Sequence, residues 1–131
     1  MVKAALQIGA VGEQRFVVTE KHSIDFAGDG MPAVLATPWL IWYLEHSCRD
    51  AALPYFDEGE SSVGAHIDVE HLAPTPLGME VRCRAQVIQR QGRRIWCRVE
   101  AFDEKECIGK GTIQFYIIQK EKFAKRVSEK R

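Results

Sequence analysis

The sequence predicts an α+β domain in which an antiparallel sheet wraps around one central helix. The run from Pro38 to Leu53 has no internal glycine or proline after its start and is apolar nearly all round. A helix of that composition is buried on several sides. A series of strand-like segments follows this run. One helix buried on several sides needs a curved sheet around it, and the pattern supports this class without singling out one topology.

The first half of the chain predicts one strand, one loop and the helix. Arg15 to Thr19 has the composition of a short strand, and His22 to Pro32 is a loop rich in Gly, Asp and Pro. The helix is predicted to begin at Thr37, because Thr is favoured as an N-cap and the next residue is a proline. Pro54 ends it.

The second half of the chain predicts strands. In the first of them the alternation puts Val63 and Ile67 on one face, and Gly64 and His66 on the other. Two long strands form a predicted hairpin across residues 90–92. The predicted strands are Ser62–Glu70, Met79–Gln89, Arg93–Asp103 and Cys107–Gln119, and the charged tail Glu121–Arg131 is predicted to be a short helix or frayed.

Size and charge narrow the class of protein. A chain of 131 residues suits one domain, spanning residues 1–131. Lys and Arg together number 18, and Asp and Glu together also number 18. The chain therefore lacks the positive net charge that would favour nucleic acid as the main partner. No apolar run approaches the roughly 20 residues of a membrane span, and Met1 to Gly12 lacks the apolar core of a signal peptide. We therefore expect neither a nucleic-acid nor a membrane partner.

The four cysteines predict a reducing compartment. Cys48, Cys83, Cys97 and Cys107 form no C-x-x-C pair and match no zinc spacing, so we expect no metal site. Three of them lie in apolar strand-like segments, where a free thiol behaves as a small hydrophobe. We interpret them as reduced, buried thiols, which indicates a cytoplasmic protein.

Glu45 and His71 are the first candidate functional residues. Glu45 lies mid-helix among apolar residues, where a carboxylate is costly unless it is paired. The alternative is that Glu45 is a partly exposed residue on the one solvent-facing side of the helix. His71 continues the apolar phase of the strand before it and should point at the helix. A lone His on an apolar face is more often structural, so both interpretations remain open.

Thr37 and Gly64 are the other candidates. As an N-cap, Thr37 would already have a structural role worth about 1 kcal/mol. Its hydroxyl, at the positive end of a helix, could also act on an acyl group. Gly64 within a strand indicates either a bend or bulge, or a place where a ligand lies against the backbone. In the second case its amide would face an oxyanion.

Together these residues resemble the fluoroacetyl-CoA thioesterase group of hot-dog proteins, whose sheet surrounds one central helix. The spacing of Thr37, Glu45, Gly64 and His71 is the specific part. The matching segments are Leu35-Ala36-Thr37, Leu44-Glu45, Cys48, Val63 to His66, His71 to Gly78, Gly92-Arg93-Arg94, Ile108 to Thr112 and Glu121-Lys122-Phe123.

The resemblance implies hydrolysis of a small acyl-CoA without a metal or cofactor. It makes Thr37, Glu45 and His71 the catalytic triad and places Gly64 at the acyl-binding site. The chain departs from the group in a short segment, Gly28 to Pro32, and near Phe115, where the group has an Arg. The resemblance therefore implies the enzyme class and leaves the acyl group open. A non-catalytic acyl-CoA sensor and a hot-dog dehydratase are the alternatives.

Helix geometry predicts an assembly. Thr37 and Glu45 are eight residues apart, a rise of roughly 12 Å at about 1.5 Å per residue. Either His71 bridges this gap or two subunits share the site. We expect a homodimer, or a tetramer built from such dimers, with acyl-CoA at the subunit boundary. Short acyl chains are expected as well, because Trp39, Trp42 and Tyr43 near the helix start are bulky.

Overall fold

The computed structural model describes residues 6–131, so the signal-peptide prediction for Met1 to Gly12 lies partly outside the described residues. The described chain contains five strands and two α-helices, with short 3-10 turns before and after the first helix. In chain order they are β1 (Val11–Val17), α1 (Thr37–Ala52), β2 (Glu60–His71), β3 (Glu80–Gln91), β4 (Arg94–Phe102), β5 (Cys107–Gln119) and α2 (Lys120–Ser128).

The strands form one antiparallel sheet in the order β1-β3-β4-β5-β2, and α1 lies against it. This confirms the predicted arrangement of a sheet around one central helix. The β3–β4 hairpin is confirmed too, with Gly92 at φ 60° in its turn. β1 starts four residues before the predicted Arg15, because Gly12 and the polar residues beside it conceal the start of the strand. The charged tail forms α2.

The core lies between α1 and the concave face of the sheet. The helix packs mainly on β1 and β3 and much less on β2. Leu40, Leu44 and Cys48 are fully buried on this side. β1 approaches so closely that a Cβ on Gly12 would overlap the Ser47 backbone. Trp42, in the first half of α1, is 44% exposed, so the helix is buried on fewer sides than its composition predicted.

α1 begins at Thr37 as predicted, but its N-cap differs from the prediction. Ala36, with φ −76° and ψ 140°, is the N-cap, and within residues 6–131 no side chain caps the helix. Thr37 is the first helical residue and Pro38 the second. The N-cap role predicted for Thr37 is therefore wrong. The physical reason is that the Thr37 hydroxyl is hydrogen-bonded to His71 and not to the first turn of the helix.

A β-bulge interrupts β2. Gly64 pairs with Phe115 and His66 pairs with Gln114, so Ala65 has no partner residue on β5. Such a bulge inserts one extra residue and shifts the alternation of side chains that follows it. The bend or bulge predicted at this glycine is confirmed.

The bulge corrects the predicted faces of β2. In a regular strand, Gly64 and His71, seven residues apart, would face opposite sides. In the structure both face α1, since a Cβ on Gly64 would contact Glu45 and the His71 ring contacts Thr37. The prediction that His71 points at the helix is confirmed, and the prediction that Gly64 lies on the other face is wrong.

Candidate active site

The segment that leads into α1 is held between two loops. On one side the backbone N–H of Ala36 donates to the His22 carbonyl at 2.8 Å. On the other side the N–H of Leu35 donates to the Thr75 carbonyl at 2.9 Å. The Thr75 loop follows directly from His71 at the end of β2. The two loops therefore fix the first turn of the helix opposite that histidine.

Thr37 and His71 meet at this point. The Thr37 Oγ1 lies 2.7 Å from the His71 Nδ1, within the range of a good hydrogen bond. The backbone N–H of Thr37 has no partner among residues 6–131, as is usual for the first amides of a helix. A hydroxyl held by an imidazole and a free amide at the positive end of a helix are thus side by side.

His71 is set up to accept a proton. Burial lowers its pKa, an effect that an interaction with the Ala73 backbone partly opposes, so the imidazole is neutral at pH 7. In the tautomer in which Nδ1 accepts from the Thr37 hydroxyl, the hydrogen of the neutral ring lies on Nε2. This Nε2 atom is buried and has no hydrogen-bond partner in the described part of the chain.

Thr75 and Asp103 support the Thr37–His71 pair, and the sequence did not predict them. Thr75 is fully buried, and its hydroxyl donates to Asp103 Oδ2 at 2.9 Å. The other carboxylate oxygen, Oδ1, accepts the backbone N–H groups of Lys105 and Glu106 at 2.8 and 2.9 Å. A threonine between two prolines and an aspartate at a turn were the only signals in the sequence.

The second part of the site is formed by Glu45 and Gly64. A Cβ on Gly64 would lie 2.7 Å from Glu45 Oε1 and 3.0 Å from its Cδ. The carboxylate therefore rests on the bare backbone of β2, where a side chain would displace it. No hydrogen bond joins Glu45 to Thr37 or His71 within residues 6–131. One chain thus holds Thr37 with His71, and Glu45 with Gly64, about two helical turns apart.

Two cavities mark these two parts. An open groove of about 310 Å³ runs past Thr37 and His71 between apolar loop residues. A smaller cavity of about 40 Å³ lies beside Glu45 and Gly64. Its other lining residues are His46, Arg49, Ser62 and Phe115.

Arg49 was not singled out from the sequence, although it lies one turn after Glu45 on the same helix face. Its Nη1 atom donates to Ser61 Oγ at 3.0 Å and to Ser62 Oγ at 3.1 Å. Its guanidinium also lies 5.9 Å from the centre of the Phe56 ring. A positive charge therefore borders the small cavity.

The bulky aromatics near the helix start face elsewhere. Tyr43 stacks on Phe16 of β1 at 3.7 Å, and its hydroxyl lies 3.2 Å from His22 Nε2. Trp39 meets the His22 ring edge-on. Burial, with a smaller contribution from the charge of Lys21, lowers the pKa of His22. These rings line neither of the two cavities just described, so the reason given above for short acyl chains does not hold.

Three thiols are buried, as predicted, whereas Cys107 is half-buried. Burial raises the pKa of Cys83 to about 12, and a hydrogen bond with Cys97 together with burial raises the pKa of Cys48. These thiols are unreactive core residues. Among residues 6–131 no group of three metal-ligating side chains comes together, and no helix there has the length and apolar composition to cross a bilayer.

Comparison with known proteins decides the family. Residues 18–121 match the model of the fluoroacetyl-CoA-specific thioesterases. The chain belongs to this thioesterase family. It is 36% identical to the fluoroacetyl-CoA thioesterase of Streptantibioticus cattleyicolor, over 98% of this chain and 97% of that relative.

Solved structures of this thioesterase family and superfamily have the same fold. A structure of the fluoroacetyl-CoA thioesterase superposes with a TM-score of 0.88 at 32% identity, covering 98% of this chain and 99% of that one. A thioesterase superfamily member from Thermus thermophilus superposes with a TM-score of 0.83 at 31% identity, covering 95% of each chain. The hot-dog fold expected from the sequence is confirmed.

Proposed function

We propose that this chain, acting as one domain, hydrolyses a short acyl-CoA thioester to free acid and coenzyme A without a metal or cofactor. The observation that carries the proposal is the 2.7 Å contact between Thr37 Oγ1 and His71 Nδ1 at the start of α1. Acyl transfer needs an activated attacking group, a base and oxyanion donors, and these are present in or beside this contact. Membership of a thioesterase family supports the same reaction.

In the first half-reaction Thr37 attacks. Neutral His71 takes the hydroxyl proton while Oγ1 bonds to the thioester carbon. The carbon–sulfur bond then breaks, and the proton passes from His71 to the sulfur of coenzyme A. The unpartnered Thr37 N–H stabilises the oxyanion at the positive end of the helix. The amide of Gly64 is the second candidate donor.

In the second half-reaction Glu45 acts as a general base. It removes a proton from water, and the water oxygen bonds to the acyl carbon of the Thr37 ester. The ester bond to Oγ1 breaks, and Oγ1 takes back the proton, which releases the acid and restores both side chains. The small cavity beside Glu45 holds the acyl group, which limits the chain to a few carbon atoms.

A homodimer is part of this proposal. Thr37 and Glu45 lie about two helical turns apart in one chain. In the dimer, one subunit therefore supplies Thr37 and the other supplies Glu45 to the same thioester. The edge strand β2 is exposed at residues 64–68, on both faces, and offers a surface for the partner. We also place the protein in the cytoplasm, where the buried thiols stay reduced.

The test is thiol release from acetyl-, butanoyl- and palmitoyl-CoA. We expect turnover of the short substrates and little of palmitoyl-CoA. Glu45→Gln should release about one thiol per site in a burst and then stop, with an acyl group left on Thr37 in a peptide mass map. The exposed Glu104→Gln should behave as wild type. A burst without an acyl group on Thr37 would remove that residue as the nucleophile.

The same assay decides between the rival functions. An acyl-CoA sensor binds the thioester and releases no thiol. A dehydratase converts a 3-hydroxyacyl-CoA to the unsaturated thioester, again without free thiol. Absence of thiol release from every acyl-CoA offered would therefore reject hydrolysis. Adding 3-hydroxybutanoyl-CoA would show which alternative applies, because a dehydratase converts it to the unsaturated thioester and a sensor leaves it unchanged.

A further inference from the structure

Arg49 is a cation that the hydrolysis just proposed does not use. It lies on α1 one turn beyond Glu45, and its half-buried side chain borders the small cavity. A guanidinium has five N–H donors. The two on Nη1 go to Ser61 and Ser62. The donors on Nε and Nη2 have no acceptor among the described residues.

The charge of Arg49 is also unpaired within residues 6–131. The ion pairs there join Arg15 to Glu80 and Arg93 to Glu60, and no carboxylate lies within 4.0 Å of the Arg49 guanidinium. Hydrogen bonds from α1 to two serine hydroxyls could be made by an uncharged side chain. Placing the charged guanidinium of Arg49 there is costly, because it is partly withdrawn from water. The free donors therefore suit an acceptor that comes from outside the chain.

The cavity beside Arg49 has the size of a short acyl tail. Its volume of about 40 Å³ corresponds to about three water-sized positions. The groove of about 310 Å³ at Thr37 is open and apolar, and suits the long arm of coenzyme A. Arg49 accompanies Glu45 whether one or two subunits form the site, because both lie on one face of the same helix.

We infer that Arg49, held by Ser61 and Ser62, is a subsite for a neutral oxygen, hydroxyl or keto, on the short acyl chain of the substrate. The inference rests on the proposed thioester hydrolysis. A hydrogen bond from a charged donor is worth about 10- to 150-fold in affinity. A hydroxyl can in addition donate to the Glu45 carboxylate across the cavity.

A carboxylate on the acyl chain is disfavoured by Glu45. Two carboxylates about 6 Å apart, at an effective dielectric constant of about 20, repel by an amount equal to roughly 100-fold in affinity. At the same dielectric constant, Arg49 attracts a carboxylate about 4 Å away by roughly 1,000-fold in affinity, so about 10-fold remains. The cost of taking the carboxylate out of water reduces this remainder further, below what a neutral oxygen retains. His46 does not change the balance, since its Nδ1–H already donates to the Trp42 carbonyl at 2.8 Å and its ring stacks on that indole.

The test compares two substrates of equal size. Butanoyl-CoA and 3-hydroxypropanoyl-CoA differ by a terminal methyl against a hydroxyl. A site with unpaired donors discriminates strongly between such isosteres, whereas an apolar pocket does not. We expect wild-type kcat/KM to be at least about 10-fold higher for 3-hydroxypropanoyl-CoA. Malonyl-CoA, with a carboxylate at the same place, should be turned over more slowly than 3-hydroxypropanoyl-CoA.

Variants assign the preference to the guanidinium. Arg49→Met keeps the apolar stem of the side chain without the guanidinium and should lower kcat/KM for the hydroxyl substrate about 10-fold or more, with butanoyl-CoA within about threefold. Arg49→Lys keeps the charge, so its kcat/KM for the hydroxyl substrate should lie between those of wild type and Arg49→Met. This variant provides the test if Arg49→Met does not fold. Arg98→Met on the exposed side of β4 is the matched control and should change neither substrate.

Each outcome is decisive. Equal wild-type kcat/KM for butanoyl- and 3-hydroxypropanoyl-CoA, or equal losses of both in Arg49→Met, would overturn the subsite and leave hydrolysis intact. A wild-type preference for malonyl-CoA would overturn the assignment to a neutral oxygen. If neither acetyl-CoA nor any other acyl-CoA is hydrolysed, the proposed function falls and this inference falls with it.

Discussion

Thr37 is the first residue of α1, and its hydroxyl contacts His71 instead of capping the helix. Thr37→Ala should therefore lower the free energy of unfolding by no more than about 1 kcal/mol, while turnover falls about 100-fold or more. Thr37→Ser keeps the hydroxyl and should keep most of the activity. Thermal unfolding and thiol release measure the two effects. An alanine variant as active as wild type would leave Thr37 without a catalytic role.

Gly64 is required because Glu45 lies on it. The Cβ of Gly64→Ala would stand 2.7 Å from Glu45 Oε1 and push the carboxylate aside. Because the displaced group is the end of a flexible side chain, stability should change little, and kcat should fall by about 10- to 100-fold. The shorter side chain of Glu45→Asp should recover part of this loss in the double variant. Simple additivity of the two losses in kcat would contradict the steric explanation.

The two histidines with lowered pKa values, His22 and His71, make stability depend on pH. Their protons bind more readily in the unfolded chain, where the pKa is about 6.5. Their contribution to stability is therefore complete above about pH 6.5 and is lost as the pH falls through the lower folded-state pKa. Urea unfolding at about pH 7.5 and about pH 5.5 measures the loss.

His22→Gln should reduce this pH-dependent loss of stability, since it removes one of the two groups. The exposed His66→Gln is the control and should leave the loss as in wild type. If wild type and His22→Gln lose the same free energy between the two pH values, burial of His22 is not the cause.

At the scale of elements, the loop from His71 to Thr75 couples β2 to the start of α1. Thr75 is fully buried and its hydroxyl donates to Asp103. Thr75→Val removes this hydrogen bond and should lower the free energy of unfolding by about 1–3 kcal/mol. We also expect kcat to fall about 10-fold with little change in KM, because Leu35 and Thr37 lose their fixed position. Thr75→Ser should restore both quantities.

A matched control separates positioning from general destabilisation. Val99→Ala removes buried methyl groups from the core side of β4, and Val99 makes none of the hydrogen bonds that hold the loops beside Thr37. It should lower the melting temperature and leave kcat unchanged at a temperature where the protein is folded. An equal loss of kcat in Val99→Ala and Thr75→Val would reduce Thr75 to a purely structural residue.

The elements themselves were predictable where local patterns dominate. β5 has the predicted bounds Cys107–Gln119, and the hairpin follows from Gly92. The N-cap of α1 was misplaced by one residue, because Thr37 satisfies the N-cap preference while a distant residue, His71, occupies its hydroxyl. Such a long-range contact leaves no trace in local composition.

The site was predictable only as a set of candidate residues. The structure brings Thr37 to His71 and Glu45 to Gly64. Their catalytic roles stay predictions. Arg49 was missed because an arginine on a helix usually lies in solvent, and only tertiary packing shows that it borders a cavity.

At the scale of the whole molecule, β2 is the expected dimer surface. Light scattering should give twice the 14.9 kDa of one chain. Ile67 is 41% exposed on this edge strand, so Ile67→Lys should produce monomers and abolish activity. The control is Val17→Lys on the opposite edge strand, β1, where Val17 is 48% exposed. A fully active monomer would refute the dimer requirement.

Mixed dimers show whether the two subunits share one site. Thr37→Ala and Glu45→Gln are each expected to be inactive. If the two residues serve one site from different subunits, exchange of subunits restores one intact site in each heterodimer. If both residues of a site come from the same chain, mixing the variants restores no activity.

The bulge at Ala65 constrains how this chain can change over generations. Point substitutions along β2 alter one side chain each, but loss or gain of a single codon between Gly64 and His71, while the bulge is kept, turns one of the two away from α1. Such an event would separate the glycine under Glu45 from the histidine beside Thr37 in one step, even though the composition of the strand hardly changes. The six positions between Gly64 and His71 should therefore vary in residue type among descendants, while their number changes only together with the bulge.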